Sequence, residues 1–193
     1  MVLAVVTLAV APCRAEHTVE LVPVIGARNG VDMTADASGV GPVSAGIAGT
    51  IGFGVNVRLR PDAWFESFVD HQSLTFDGPS TTPFDVAVDY LQFGGRYQPG
   101  EGHIHPFVSA ALGLTRFGSH PGSVGNAIGV SGSLGGGFQV PIGRAVLFHL
   151  EFRGYATLDD AAISVSCGPG CVTQFSGSGW YQFGARAGFA FRM

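Results

Sequence analysis

Arg186-Ala187-Gly188-Phe189-Ala190-Phe191-Arg192-Met193 closes the sequence, and in it large apolar side chains alternate with small or polar ones. A period of two is typical of a β-strand, because successive side chains point to opposite faces. The alternation extends upstream to Tyr181. One face carries Tyr181, Phe183, Ala185, Ala187, Phe189 and Phe191, and the other carries Gln182, Gly184, Arg186 and Gly188.

Similar alternating segments recur through the chain from Glu16 onward, separated by clusters of Gly, Pro, Asp and Ser. Such segments predict strands bounded by turns. We expect eight strands, at about 17–28, 44–58, 63–76, 84–97, 104–117, 127–140, 145–158 and 175–193.

The connections between these segments alternate in length. Residues 60–62, 98–103 and 141–144 are short turns, whereas 29–43, 77–83, 118–126 and 159–174 are mostly longer. Short turns at one end and longer loops at the other are typical of membrane barrels. The sequence therefore predicts an all-β fold, an eight-stranded antiparallel up-and-down transmembrane β-barrel with both termini on the periplasmic side.

Composition agrees with one apolar domain that is not helical. The 193 residues include 30 Gly and 15 Phe, and only 12% are charged, about half the usual share. All ten basic residues are Arg, and the net charge is -4. Because the chain has no basic cluster, we expect no nucleic-acid partner.

Residues 1–15 have the pattern of a cleaved signal peptide. Met1–Val10 is apolar, and Cys13 and Ala15 are the small residues of a cleavage site. Ten apolar residues are too few for a spanning helix, which needs about 20. We expect the barrel domain to occupy residues 16–193.

Two cysteines remain after removal of the leader, Cys167 and Cys171. An even pair in an exported chain favours a disulfide that closes the loop around 159–174. A metal or redox pair is the alternative.

The strand faces predict which charges lie inside. An arginine on the lipid face near the bilayer centre costs about 2–4 kcal/mol, so Arg153 and Arg186 should point inward. The same rule gives an interior of four acids and four bases, which we expect to form ion pairs in a packed polar core without a pore. The set is Glu20, Arg28, Glu66, Asp70, Arg96, Glu151, Arg153 and Arg186. A catalytic or proton-conducting network is the alternative use of these charges.

Several aromatic residues lie near the predicted strand ends. Tyr155, Trp180 and Tyr181, together with Tyr97 and Trp64, are candidates for the aromatic girdles at the two membrane surfaces. Scattered surface aromatics are the alternative.

Four segments, 22–28, 106–113, 150–155 and 186–193, resemble the small outer-membrane β-barrel superfamily, which includes OmpA-type transmembrane domains and OmpX-like proteins. The last segment is similar to the C-terminal insertion signal of that family, carried here by Arg186, Gly188, Phe191 and Met193, with Met in place of the usual Phe or Trp. The resemblance implies an integral protein of the outer membrane of a Gram-negative bacterium. Its implied partners are outer-membrane lipid, lipopolysaccharide and, during biogenesis, the barrel assembly machinery.

One pair of residues allows for an enzyme. His71 and Ser73 have the His-x-Ser spacing of lipid A deacylases, which are also eight-stranded barrels, and Asp89 is the candidate to orient the histidine. A chance pairing on a strand is the alternative. His103 and His105 share a face, but rim residues are a better interpretation than a metal site. We expect neither metal nor cofactor.

The sequence thus predicts a monomeric, non-catalytic structural or surface-interaction protein that acts through its extracellular loops. The first alternative is an esterase of the lipid A 3-O-deacylase type. The second is a soluble lipocalin-like barrel, which would turn its apolar residues inward.

Overall fold

The computed structural model describes residues 18–30, 32–33, 43–78, 81–100, 102–119, 127–158, 163–168, 171–175 and 180–193. The predicted leader lies outside these ranges. No helix in the described part of the chain is long and apolar enough to cross a membrane.

Twelve strands make up the described structure. Eight of them form the barrel. The short strands β2 and β3 continue the sheet beside the last residues of β5, and β10 and β11 form a separate two-stranded sheet. In chain order the strands are β1 (Val19–Arg28), β2 (Asp32–Met33), β3 (Val43–Ala45), β4 (Ala48–Arg58), β5 (Ala63–Gly78), β6 (Thr81–Tyr97), β7 (His105–Ser119), β8 (Ala127–Pro141), β9 (Val146–Leu158), β10 (Ile163–Gly168), β11 (Cys171–Phe175) and β12 (Trp180–Arg192).

The barrel closes without a free edge. Its strands pair antiparallel in the cycle β1-β4-β5-β6-β7-β8-β9-β12, and β12 pairs with β1. The stagger of the strands can be read from the paired residues. A path that starts at Arg116 on β7 and passes through its partners Asp89 and His71 and on around the barrel comes back to β7 at Pro106, ten residues from its start. A displacement of this size tilts the strands by about 35–45° and leaves an interior that side chains fill.

This architecture confirms the predicted fold class, a closed eight-stranded antiparallel barrel, and the predicted strands agree with it closely. Two predicted boundaries are wrong. The expected loop 77–83 is largely strand, because β5 runs to Gly78 and β6 begins at Thr81. The expected loop 159–174 contains the hairpin of β10 and β11. In both places backbone pairing continues beyond the segments in which apolar alternation is visible.

Cys167 and Cys171 lie in the strands of that hairpin, and Cys171 pairs with Gly168. The side chains of this hairpin lie outside the described part of the structure, so the disulfide stays a prediction.

The two ends of the barrel differ. The turn end carries the turns 59–62 and 142–145, the segments 98–100 and 102–104, and the outer ends of β1 and β12. There Val19 and Met193 exchange two backbone hydrogen bonds of 3.2 and 2.8 Å. The loop end is the opposite one. Inside the loop end lies an apolar cluster that includes Ala45, Leu74, Phe76, Val86, Val88, Phe117 and Trp180.

Candidate functional site

The interior contains a chain of ion pairs near the middle of the barrel. All eight charges assigned to the interior from the sequence are buried. Arg186 lies 2.6 Å from Glu151 and 3.6 Å from Asp70, and Arg153 lies 2.6 Å from Glu151 and also bonds Glu66. Arg28 extends the chain through Asp70, at 3.3 Å. Six of the eight predicted residues therefore form one connected network.

The other two predicted residues form a separate group at the turn end. Arg96 donates to Glu20 at 2.7 Å, and both side chains are fully buried. Arg192, which was not among the predicted interior residues, bonds the second oxygen of the same carboxylate at 2.8 Å. Its parity with Arg186 on the last strand was the signal in the sequence that marked it as inward-facing.

Neutral polar side chains complete the central network. Ser109 and Ser133 contact the Arg153 guanidinium at 3.0 and 2.9 Å. Gln72 accepts from Arg28 at 3.0 Å. Buried charges are tolerated only when they are paired and hydrogen-bonded, so this pattern fits a structural role.

Aromatic rings stack on the interior arginines. Arg28 lies over the rings of Tyr90 and Tyr155, with 4.7 Å to each centroid, and Arg96 lies 5.0 Å from the centroid of Trp64. These contacts correct the predicted girdles. Tyr155, Trp180 and Trp64 are buried, and only Tyr97 and Tyr181 of the five candidates face outward. Trp64 shares the parity of Glu66, which was the overlooked signal.

Charged residues also occur on the outer face, where they form a small cluster on three adjacent strands. His71 of β5 and Asp89 of β6 are cross-strand partners, and His71 Nδ1 lies 2.6 Å from Asp89 Oδ1. Arg116 of β7 is paired with Asp89 in the ladder, and its guanidinium lies 3.9 Å from Asp89 Oδ2. We call His71, Asp89 and Arg116 the outer polar trio.

The structure thus brings His71 and Asp89 together, as the hydrolase alternative requires. Ser73 is exposed on the same face, two residues further along β5. Arg116 was missed from the sequence, although a charge that follows Leu112 and Leu114 at a spacing of two breaks an apolar face and was a usable signal. His103 lies in a turn, and His105 begins β7. Within the described ranges no group of three or more His, Cys, Asp or Glu could hold a metal ion.

The inside-out pattern inverts where the outer polar trio lies. On β5, nearer the turn end, Phe65 and Val69 face outward, and Glu66 and Asp70 face inward. From His71 onward, the same strand has His71, Ser73 and Thr75 facing outward, and Leu74 and Phe76 facing inward. Strand β6 inverts at the same rung, from outward Leu91 to outward Asp89 and Asp85, with Val88 and Val86 inside.

Comparison with solved structures shows what this fold resembles. Neisserial surface protein A matches with a TM-score of 0.60 at 12% identity, over 91% of this chain and 97% of that one. The outer membrane protein OprG from Pseudomonas aeruginosa matches with a TM-score of 0.63 at 11% identity, over 92% and 96%. Outer membrane protein AlkL, solved in DMPC lipid bilayers, matches with a TM-score of 0.55 at 13% identity, over 90% of each chain.

In sequence, the chain matches no model of a protein family and no curated protein. The structural likeness confirms the fold inferred from the resemblance in the sequence. The chain has the fold of the small eight-stranded outer-membrane β-barrels. At identities of 11–13%, the likeness concerns the fold and not the activity.

Proposed function

We propose that the chain is an integral protein of the bacterial outer membrane, exported by a cleaved signal peptide, whose loop end faces the exterior. The outer face supports this proposal. Leu112 and Leu134 are each 72% exposed and Phe183 is 68% exposed, while Glu20 and Glu151 are fully buried. Exposing such apolar area to water is unfavourable, whereas contact with hydrocarbon is not. These faces are the reverse of those in a lipocalin-like barrel and argue against that alternative.

The face inversion on β5 and β6 is the observation that carries the proposal. A strand inside a membrane needs apolar residues outside, and a strand that rises above it into water needs them inside. Both arrangements occur on one hairpin and change at one rung. In this proposal the change is the level at which the hairpin leaves the apolar layer.

The function best supported is non-catalytic, a structural or surface-interaction role carried by the external loops. The interior supports this because charges, aromatic rings and the apolar cluster at the loop end fill it, so we expect no open pore. The partners are outer-membrane lipid and lipopolysaccharide, with the assembly machinery reading residues 186–193 during insertion. The protein is a monomer in this proposal, because a closed barrel leaves no strand edge to pair.

Fractionation of expressing cells tests the location. We expect the protein in the outer-membrane fraction, released by detergent and not by salt, with Glu16 at its N-terminus by sequencing. Recovery in the aqueous periplasmic pool without detergent would contradict the proposal. A retained leader would contradict only the predicted cleavage.

A second candidate, an esterase that acts on an acylated outer-leaflet lipid, is favoured by one contact. Asp89 Oδ1 contacts His71 Nδ1, so with the proton on Nδ1 the other ring nitrogen, Nε2, would take the Ser73 hydroxyl proton. Ser73 Oγ would then bond the acyl carbon while the ester C–O bond breaks and the leaving alkoxide takes the proton from His71. Water would release the fatty acid in a second step that regenerates Ser73.

Mass spectrometry of lipid A incubated with the refolded barrel tests this candidate. An esterase should release a fatty acid in the wild-type sample and not with Ser73→Ala or His71→Ala. Thr75→Ala, on the same face, should leave the release unchanged. No fatty acid from the wild type would end the esterase candidate and leave the non-catalytic role in place.

A further inference from the structure

The outer polar trio interrupts an outer face that is otherwise apolar at this rung. Along one rung of the outer face the paired residues are Ile51, His71, Asp89, Arg116 and Ile128. Ile51 is 62% exposed and Ile128 is 65% exposed, so apolar side chains border the trio on both sides. Toward the turn end its neighbours on the same strands are Val69, Leu91 and Leu114, all of them exposed.

The two partners of Asp89 contact its carboxylate at different distances, and the guanidinium of Arg116 is the more weakly engaged. His71 holds one oxygen of Asp89 at 2.6 Å, while Arg116 is 3.9 Å from the other oxygen and its side chain is 58% exposed. A guanidinium has five N–H donors, and one contact at that distance engages few of them. Among outward-facing strand residues in the described ranges, Arg116 is the only arginine.

An arginine on the lipid face is tolerated near a membrane surface and not at the centre, because its cost falls from about 2–4 to 0–1 kcal/mol between those depths. The face inversion places Arg116 at such a surface. A matching ligand has an anionic headgroup that contacts Arg116 and apolar chains that contact Val69, Leu91 and Leu114. Phosphate fits the headgroup position, because guanidinium binds it through two parallel hydrogen bonds.

We propose that the outer polar trio binds the phosphate headgroup of an outer-leaflet lipid, with Arg116 as the phosphate-binding residue and His71 bonded to the first carboxylate oxygen of Asp89. The proposal rests on the membrane placement proposed above and adds a specific lipid site to it. The phosphorylated lipid A of lipopolysaccharide is the lipid that supplies this chemistry.

Native mass spectrometry of the full barrel, reconstituted in phosphatidylcholine nanodiscs that contain phosphorylated lipid A, tests the site. We expect Arg116→Gln to reduce retained lipid A about tenfold, equivalent to ~1.4 kcal/mol. Arg144→Gln, at an exposed turn of the opposite end, is the matched control and should retain lipid A like the wild type. Dephosphorylated lipid A should be retained equally weakly by all three proteins.

Protease protection, measured on the same nanodiscs, separates the two proposals. A barrel that is not protected contradicts the membrane placement. Protected barrels that retain lipid A equally with and without Arg116 overturn the phosphate site alone. Full displacement of lipid A by inorganic phosphate would overturn the assignment of the headgroup to a lipid.

Discussion

At the scale of single residues, Arg153 shows how the interior is held together. Its guanidinium bonds two carboxylates, Glu66 and Glu151, and two hydroxyls, those of Ser109 and Ser133. Arg153 also stacks on the ring of Phe68, 4.3 Å from its centroid. Glu151 is bonded by Arg186 as well, at 2.6 Å, whereas Glu66 is bonded by Arg153.

Arg153→Ala should lower the free energy of unfolding by about 3–5 kcal/mol, because it leaves the buried Glu66 carboxylate without its arginine partner. Urea titration of the barrel in lipid vesicles, followed by the mobility of the folded band on a gel, measures the change. Arg144→Ala, at an exposed turn, is the control and should change stability by less than about 0.5 kcal/mol.

Adding Glu66→Gln to Arg153→Ala should recover part of the loss, because one orphaned charge is then removed. A loss from Arg153→Ala of less than ~1 kcal/mol would mean that the network does not stabilise the fold.

At the scale of elements, two adjacent glycines of β6, Gly94 and Gly95, lie on opposite faces of the strand and have different neighbours. Gly94 faces the interior, and a Cβ there would fall on the backbone of Ala110 and Ala111. Gly95 faces outward, and a Cβ there would meet only the Trp64 carbonyl oxygen, at 3.8 Å. The close approach of β6 and β7 therefore requires glycine at the first position and not at the second.

Gly94→Ala should destabilise the barrel by about 1–3 kcal/mol through overpacking. Gly95→Ala should be neutral or slightly stabilising, because it removes backbone freedom from the unfolded chain. The same vesicle titration distinguishes the two variants. Equal effects would mean that the faces of β6 are not those described.

The level at which β5 and β6 invert is also a property of elements, and a pair of alanines tests it. Ala110 faces outward between Val108 and Leu112, within the apolar belt, whereas Ala87 faces outward on β6 beyond Asp89. Ala110→Arg should cost about 2–4 kcal/mol, and Ala87→Arg about 0–1 kcal/mol, because the penalty depends on depth. Unfolding from vesicles measures both, and a similar cost at the two sites would remove the proposed boundary.

At the scale of the whole molecule, the closed wall and the side chains that fill the interior decide whether ions can pass through the barrel. A displacement of ten residues around eight strands leaves room for side chains only. The ion-pair network fills the middle, and the apolar cluster at the loop end fills the region above it. The described part of the barrel is therefore filled by side chains, and the outer polar trio lies on the outside of its wall.

Planar-bilayer recordings should therefore show no single-channel steps from the inserted protein. Insertion is verified separately by recovery of the protein in the floated vesicle fraction. A stable open level that persists in repeated insertions would contradict the filled interior.

The sequence by itself determined the barrel, most of its strands and the inward direction of eight charges. In a strand with period-two alternation, assigning one charge to a face also assigns the face of every other residue. Placing Arg153 and Arg186 inside therefore set the faces of the other residues on their strands. Leu74 and Phe76 lie inside on the face that Asp70 assigns on β5, and Val86 and Val88 lie inside on the face that Arg96 assigns on β6. Alternation therefore gives the face correctly there, although the inward side chains are apolar.

Only the tertiary structure decided which residues meet. Glu20 and Arg96 are 76 positions apart, and Arg28 and Asp70 are 42 apart. The stagger of the strands around the closed barrel decides which residues face each other across the interior. Alternation within one strand carries no information about that stagger. The contact between His71 and Asp89 likewise depends on the register of the β5–β6 hairpin, because a shift of one residue would place Asp89 opposite an inward-facing neighbour.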